Sequence, residues 1–471
     1  MEAFTWISLV VIVFHLAGIA AAIDAVWRAR TAQGSVAWAV LLVVFPYFTL
    51  IPYFIFGSNR FESYVNARRD ERETLARHSS ALPWKPDDSI LPGNGLPAAA
   101  RLTDMPLLGG NQVRLLVNGE ATFQAIFEAI RNAQEEIVVE FFTIADDDLG
   151  QQLFSLLRER AAQGVRVYLL CDGIGSHSLP NKVLAELRDA GIKAHKFVTT
   201  SGMGVNRFQV NFRNHRKLVV VDGKRAFIGG HNVSDLYVGK EPPLSPWRDT
   251  HIELEGPIIG CLQYTFAEDW YWTTKTLPEQ CTPSQNQQGG VLCQSLPFGP
   301  ADKSDTCVLT LLELIHHAEQ RIWISTPYLV PDDAVFAALK LAVNRGVEVR
   351  LLVPARPDHY VVFYASALFV RRAVENGMQV YRYQPGFVHQ KVWLIDDWSA
   401  VIGSANLDNR SMRLNFEQMV ATFDAEFTGQ VAQMLLDDFS LARQVTPEQL
   451  KSVPVWRQAA ERVANLLAPT L

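Results

Sequence analysis

The sequence predicts a layered α/β fold built from two copies of one domain and preceded by a pair of membrane-spanning helices. Apolar strands alternate with helical patterns in two long stretches, and the same string of polar residues ends each stretch. Equivalent landmarks in the two stretches are 174 to 186 residues apart, which indicates that a whole domain was duplicated. The third observation is a concentration of uncharged, apolar residues near the N-terminus.

Two N-terminal runs predict a transmembrane hairpin. Residues 4–23 and 35–56 carry no formal charge, and their 20 and 22 residues suffice to cross a hydrocarbon core. Pro46 and Pro52 should bend the second helix. A cleaved signal peptide is the alternative, but Met1 and Glu2 provide no basic leading region. We therefore expect a multi-pass membrane protein.

The distribution of arginines predicts the side on which the main body lies. An even number of spans places the N-terminus and the body on the same side, and the segment after the second span is richer in arginine than the loop between the spans. The positive-inside rule then favours a cytoplasmic body. The residues compared are Arg60, Arg68, Arg69 and Arg72 against Arg28 and Arg30.

Composition shifts predict the domain boundaries. Residues 1–60 form the hairpin, and 61–100 form a linker whose second half is rich in proline and glycine. The first α/β domain covers 101–275, a second Pro/Gly-rich connection covers 276–305, and the second domain covers 306–471. The second domain ends in an amphipathic helix with Trp456, Ala460, Val463 and Leu467 on one face, which either packs on the body or lies on a membrane.

Charge and cysteine content exclude several classes of function. The formal net charge of −6 over 471 residues is not that of a nucleic-acid-binding protein. The five cysteines are widely spread, with no spacing typical of zinc ligands, and we expect free thiols. Carboxylates do not cluster near the repeated string either, so the sequence predicts no metal and no other cofactor.

The repeated string predicts a phosphate site. It reads His-x-Lys-x4-Asp-x6-Gly-(Gly/Ser)-x-Asn, and it occurs twice. Residues two apart on a strand share a face, so His and Lys point together, whereas the Asp lies at the following turn and should hold the motif in place. The small residues and asparagines beyond the turn let amide donors approach an anion. The candidate catalytic residues are His215, Lys217, Asp222, His389, Lys391 and Asp396, and the candidate phosphate ligands are Gly230, Asn232, Ser404 and Asn406.

The doubled motif resembles the phospholipase D superfamily. The resemblance implies two α/β/α sandwich domains that pack face to face, with the two histidines opposed across one phosphate. It also implies that His215 attacks phosphorus and His389 acts as general acid and base, although the sequence itself does not order them. Glu417 resembles the carboxylate partner of one histidine in this superfamily, and Asp249 is its counterpart after His215.

Within the superfamily, the chain resembles the bacterial cardiolipin synthases along its whole length. The hairpin, WRDTH (247–251), TPYLVPDD (326–333) and NLDNRSMRLNFE (406–417) support the resemblance. It implies transfer of a phosphatidyl group between two phosphatidylglycerols, giving cardiolipin and glycerol, in the bacterial inner membrane. Phosphatidylglycerol, cardiolipin and the bilayer are then the partners, without nucleic acid, and homo-oligomerisation stays open.

Other acceptors of the phosphatidyl group would use the same residues. A phospholipase D-type hydrolase passes the group to water, and a phosphatidylserine synthase-like enzyme passes it to another alcohol. A nuclease and a non-catalytic scaffold are less consistent with the hairpin and with two complete motifs.

Overall fold

A computed structural model describes residues 2–28, 32–57, 64, 95–199, 211–283, 290–302 and 304–468. Most of the predicted linker and the arginines on which the predicted sidedness depends (Arg30, Arg60, Arg68, Arg69 and Arg72) lie outside these residues. The predicted topology therefore stays a prediction.

The N-terminal segment is helical, but its second half is interrupted. Helix α1 (Glu2–Arg28) includes an apolar stretch at 6–27 with a mean hydropathy of 2.4, long enough to cross a membrane. The predicted second span consists instead of two shorter helices, α2 (Ala32–Val44) and α3 (Pro46–Phe56). They meet at Phe45, whose φ of −128° and ψ of 54° are not helical, because a proline ring disfavours helical backbone in the residue before it.

The first copy of the α/β domain alternates helices with strands before it reaches the first motif. Its elements are α4 (Pro97–Thr103), β1 (Leu107–Val117), α5 (Asn118–Arg131), β2 (Glu136–Phe141), α6 (Asp148–Ala162), β3 (Arg166–Asp172), α7 (Asn181–Asp189), β4 (Lys193–Phe197), β5 (Arg213–Asn214), β6 (Lys217–Val221), β7 (Arg225–Gly229), β8 (Trp247–Arg248), β9 (Thr250–Glu255) and α8 (Ile258–Thr274).

The second copy repeats this order and adds a C-terminal extension. Its elements are β10 (Val291–Phe298), α9 (Thr306–His317), β11 (Arg321–Ser325), β12 (Leu329–Val330), α10 (Asp333–Asn344), β13 (Glu348–Pro354), α11 (Tyr360–Glu375), β14 (Gln379–Tyr383), β15 (Phe387–Val388), β16 (Val392–Ile395), β17 (Ser399–Gly403), β18 (Leu407–Asp408), α12 (Asn409–Arg413), β19 (Asn415–Phe423), α13 (Ala425–Ser440), β20 (Ala442–Gln444), α14 (Pro447–Lys451) and α15 (Val455–Asn465).

The two copies share one continuous sheet. Its order is β20-β14-β13-β11-β16-β17-β19-β10-β1-β9-β7-β6-β2-β3-β4, so equivalent strands occur in mirrored positions about the central β10–β1 pair. In each copy the first three strands of the α/β unit run parallel, and the motif strand joins them antiparallel. This confirms the predicted duplication and the mixed α/β class.

The duplicated domains pack face to face through a common core. One cluster of buried apolar side chains draws on strands of both copies, including Leu218 and Ile228 from the first and Val392 and Ile402 from the second. Two further clusters lie under the outer helices, one in each copy. Strand β2 is buried along its whole length because the outer helices of its copy cover one face, at Ile137 and Val139, and helix α8 covers the other, at Val138.

Candidate active site

Two short strand pairs cross between the copies and place the histidines. Strand β5, which precedes His215, pairs in parallel with the start of β19, and β15, which precedes His389, pairs in parallel with β8. The backbone N–H of His215 donates to Phe416 O at 2.9 Å, and that of His389 donates to Arg248 O at 2.8 Å. Each motif is therefore held by the other copy, as the opposed-histidine arrangement requires.

The carboxylate that follows each motif binds the histidine of the other motif. Glu417 Oε2 lies 2.9 Å from His215 Nδ1, and Asp249 Oδ2 lies 2.7 Å from His389 Nδ1. All four side chains are buried. A carboxylate only accepts hydrogen bonds at neutral pH, so each Nδ1 carries a proton and each Nε2 presents a lone pair. The structure thus brings Asp249 and Glu417 into the site, with crossed partners.

The two carboxylates are held differently. Glu417 accepts from Ser404 Oγ at 2.5 Å and from Asn415 Nδ2 at 3.1 Å. Asp249 accepts from the backbone N–H of Thr250 at 2.8 Å, and a Cβ on Gly230 would lie 2.0 Å from its Oδ1. The longer glutamate is thus paired with a serine, and the aspartate with a glycine that leaves room for it.

This arrangement changes the role of two predicted phosphate ligands. The Gly230 N–H donates to Thr250 O and the Ser404 N–H donates to Gln418 O, both at 3.0 Å, so neither is free for an anion. Asn232 Nδ2 donates to Tyr237 Oη at 2.7 Å and Asn406 Nδ2 to Asp408 Oδ2 at 3.1 Å. Each amide nitrogen has two hydrogens, so each asparagine keeps one donor for a phosphate oxygen.

The lysines lie beside the histidines of their own motifs. Lys217 Nζ donates to His215 O at 2.7 Å, and Lys391 Nζ lies 2.5 Å from His389 O and 3.0 Å from His389 Nε2. Both lysines are fully buried or nearly so. Burial of two ammonium groups in one site is unfavourable unless an anion lies beside them, which favours a phosphate ligand.

Burial sets the protonation of the site. It lowers the pKa of His215 to about 4 and that of His389 to about 3, against the opposing effects of Glu417 and Asp249. The positive charge of the lysine in the other motif also lowers the pKa of each histidine, so the two motifs share one electrostatic site. Burial likewise lowers the pKa of Lys217 to about 7 and that of Lys391 to about 8.

These lysine pKa values predict that the site loses affinity for anions as pH rises. Sulfate keeps a constant charge over this range, so its binding reports on the protein alone. Between pH 6 and 9 both lysines pass from charged to neutral while the histidines stay neutral, and sulfate affinity should fall at least about tenfold. Titration calorimetry at several pH values measures it, with Lys182→Gln as an exposed control that keeps the dependence. A flat profile would contradict the assignment.

The predicted catalytic aspartates lie away from the phosphate site. Asp222 and Asp396 have φ values of 53° and 48° in the turns after β6 and β16. Asp222 accepts three backbone N–H bonds from residues 134–136 at 2.8 to 2.9 Å, and Asp396 accepts three from residues 319–321 at 2.7 to 2.8 Å. They anchor the far end of the motif strand, as turn-formers should, and the structure does not bring them together with the histidines and lysines.

Removal of one of these anchors should reduce stability. Asp396→Ala leaves three N–H groups without an acceptor and places alanine in left-handed backbone, so we expect a loss of about 3 kcal/mol. Asp397→Ala removes the adjacent, exposed carboxylate and should cost less than about 0.5 kcal/mol. Thermal unfolding of both variants in detergent makes the comparison. Equal melting temperatures would show that Asp396 is not an anchor.

A residue of the predicted linker makes a buried contact next to the active site. Tyr64 belongs to the predicted linker, yet its side chain is buried and its hydroxyl donates to Asp269 Oδ1 at 2.5 Å. Asp269 also pairs with Arg216, whose Nε donates to Glu417 O at 3.2 Å. A single tyrosine in a polar stretch gives no sequence pattern from which this contact could be predicted.

Aromatic rings line the site, and the motif did not reveal them. The ring of Phe142 lies 5.0 Å from that of His215, and the rings of Trp247 and Tyr237 lie 5.0 and 5.6 Å from that of His389. These rings pack against the two imidazoles. Among the described residues there is no group of three or more His, Cys, Asp or Glu side chains that could hold a metal ion.

Comparisons with known proteins agree with this geometry. The family described as "Cardiolipin synthase, PLD-like domain" matches residues 126–240 and 311–439, one stretch in each copy. The chain belongs to this family of phospholipase D-like proteins. It is 53% identical over 464 residues to cardiolipin synthase A of Pseudomonas fluorescens (strain SBW25), covering 97% of both chains. It is 52% identical over 478 residues to cardiolipin synthase A of Pseudomonas aeruginosa (strain LESB58), covering 100% of this chain and 97% of the relative.

A solved structure supports the fold. The crystal structure of phosphatidylserine synthase from Haemophilus influenzae Rd KW20 matches with a TM-score of 0.60, covering 80% of this chain and 99% of that one. The sequence identity of 15% limits this likeness to the fold. The family match and the two cardiolipin synthases confirm the predicted family, and they indicate a membrane-associated enzyme with phospholipid substrates.

Proposed function

We propose that this chain is a cardiolipin synthase that moves a phosphatidyl group from one phosphatidylglycerol to another, giving cardiolipin and glycerol. The crossed pairing of two buried histidines with Glu417 and Asp249 is the observation that supports it most directly, because it builds one phosphoryl-transfer site from both copies. The full-length similarity to two cardiolipin synthases supports the choice of substrate.

In the first step, His215 Nε2 attacks phosphorus of the donor. The new P–N bond forms as the P–O bond to the glycerol headgroup breaks, and His389 gives its Nε2 proton to the departing oxygen. Glu417 stabilises the positive charge that develops on His215. Burial favours neutral His389, and the negative charge of the phosphodiester offsets this effect, so His389 gains its proton when substrate binds.

In the second step, His389 acts as a base. Its Nε2 takes the proton of a hydroxyl on the second phosphatidylglycerol, the oxygen attacks phosphorus, and the P–N bond breaks to restore neutral His215. Lys217 and Lys391, with one donor each from Asn232 and Asn406, stabilise the negative charge on the phosphoryl oxygens. The reaction exchanges one phosphodiester for another, and it needs no nucleotide.

We also propose the domain limits, membrane topology and location predicted above. The chain would cross the bacterial inner membrane through residues 1–60, and 61–100 would link this hairpin to phospholipase D-like domains at 101–275 and 306–471, joined by 276–305. The active site would face the cytoplasm. A reporter that is active on only one side of the membrane, fused after Leu471, tests the sidedness, and periplasmic activity would contradict it.

Incubation of the purified protein with labelled phosphatidylglycerol alone tests the reaction. We expect cardiolipin and glycerol in equal amounts, because each transfer releases one headgroup. Phosphatidic acid as the main product would indicate a phospholipase D-type hydrolase, and would contradict the proposal. The solved phosphatidylserine synthase shares only the fold, so it does not favour a different acceptor alcohol.

A further inference from the structure

A basic cavity lies in the second copy, outside both motifs. It has a volume of about 310 Å³ and is bounded by the edge strand β20, its neighbour β14, helix α11 and the C-terminal helices α14 and α15. Four arginines line it, against a single carboxylate. The charged residues are Arg371, Arg382, Arg443, Arg457 and Glu461.

Two of these arginines are direct neighbours on adjacent strands. Arg382 and Arg443 are partners in the antiparallel register of β14 and β20, so their side chains leave the same face side by side. Neither has a carboxylate within 4.0 Å in the described part of the chain. Burial and the charge of Arg457 lower the pKa of Arg382 to about 10. Like charges in this position are unfavourable unless an anion lies between them.

The single carboxylate does not neutralise the group. Glu461 is buried and lies 3.5 Å from Arg371 Nη2 and 3.5 Å from Arg457 Nε. Arg457 Nε is buried without a hydrogen-bond acceptor. The lining therefore keeps excess positive charge and a buried N–H that makes no hydrogen bond to its ion-pair partner Glu461, which is the chemistry of an anion site.

The helix beside the cavity exposes an apolar face. Trp456 and Val463 are 67% and 65% exposed, while α15 packs against the body through Glu461 and Ala464. The sequence left open whether this stripe packs on the body or lies on a membrane, and the structure shows that these two side chains do not pack. Val455, Leu466 and Leu467 extend the apolar face.

We propose that this cavity binds the phosphate group of an anionic phospholipid, with the apolar face of α15 against its acyl chains. The positive charge of the cavity and the adjoining apolar face support an anionic lipid as the ligand. Helix α1 of the same chain is long and apolar enough to cross a membrane, which would hold the protein at a bilayer. No residue of either motif lines the cavity. This would be a second lipid site, distinct from the one in which phosphoryl transfer is proposed.

Hydrogen exchange of the full-length protein in neutral detergent tests the proposal. Short-chain phosphatidylglycerol, short-chain phosphatidylcholine and inorganic phosphate are added separately. The measurement is hydrogen exchange, and it does not follow product formation. We expect phosphatidylglycerol to slow exchange across 442–465 and phosphatidylcholine to leave it unchanged. In Arg443→Gln/Arg457→Gln the protection should require at least about tenfold more lipid, because two charge-assisted contacts are lost. Arg462→Gln, on an exposed position of the same helix, should behave as the wild type.

Several results would overturn the lipid site. They are no protection by phosphatidylglycerol, equal protection in the double variant, and protection by inorganic phosphate at concentrations where the lipid has no effect. If the double variant exchanges faster in 442–465 before any addition, Arg443→Gln alone repeats the comparison, since its side chain is exposed and does not contact Glu461. Exchange around His215 and His389 reports separately on the proposed active site, so failure of one proposal is distinguishable from failure of the other.

Discussion

Replacement of His215 by alanine should abolish cardiolipin formation, with a loss of more than about 10⁴-fold in rate, because it removes the nitrogen that forms the bond to phosphorus. Replacement of His389 should cost a similar factor with phosphatidylglycerol, because the departing alkoxide then has no proton donor. Production of labelled cardiolipin by each purified variant measures both losses. His177→Ala changes a solvent-facing histidine of the first copy and should retain full activity.

The donor can separate the two histidine variants. A phosphatidyl ester of nitrophenol has a leaving group that needs no proton, so His389→Ala should release one nitrophenol per chain in a burst and then stop. His215→Ala should give no burst. The opposite pattern would assign the nucleophile to His389. A burst of two nitrophenols per wild-type chain would contradict a single site shared by both copies.

Neutral replacements of the two carboxylates should have the next largest effects. Glu417→Gln keeps the shape of the side chain but removes the charge that stabilises protonated His215, and Asp249→Asn does the same for His389. We expect losses on the order of 10² to 10⁴-fold in the rate of cardiolipin synthesis for each. Glu255→Gln, at the exposed end of β9, is the matched control and should lose less than about twofold.

The crossed pairing makes these two variants distinguishable. With the nitrophenol donor, Asp249→Asn should still form the intermediate, because its histidine is not needed in that step. Glu417→Gln should form it slowly, since its partner is the nucleophile. If Asp249→Asn were the slower variant, then the carboxylates would serve histidines of their own copies, and the contacts at 2.9 and 2.7 Å would not represent the working site.

Much of this architecture could be predicted from the sequence because it is repeated. Two copies of His-x-Lys on buried strands predict which side chains point together, and the alternation of strands and helices predicts the class. The turn position of Asp222 and Asp396 followed from strand parity, and their positive φ values agree with it. Local periodicity was sufficient for these features because each depends on residues close together in the chain.

The features that the sequence did not predict depend on contacts between distant residues. Glu417 and His215 are 202 residues apart, and no local pattern indicates that each carboxylate crosses to the other copy. The sequence shows that Gly230 and Ser404 differ at equivalent positions of the two motifs. Only the structure shows the cause, which is the length of the carboxylate opposite each of them. The second span was predicted as one bent helix, whereas the backbone before Pro46 interrupts it.

The most direct test of a single site shared by both copies is the position and number of covalent adducts. His389→Ala is incubated with the nitrophenyl phosphatidyl donor, quenched in base to preserve phosphohistidine, and digested for peptide mass spectrometry. The shared site predicts one phosphatidyl group per chain, attached to His215, and none in His389→Ala/Glu417→Gln on the same timescale. Adducts elsewhere than His215, or an undiminished adduct in the double variant, would contradict it.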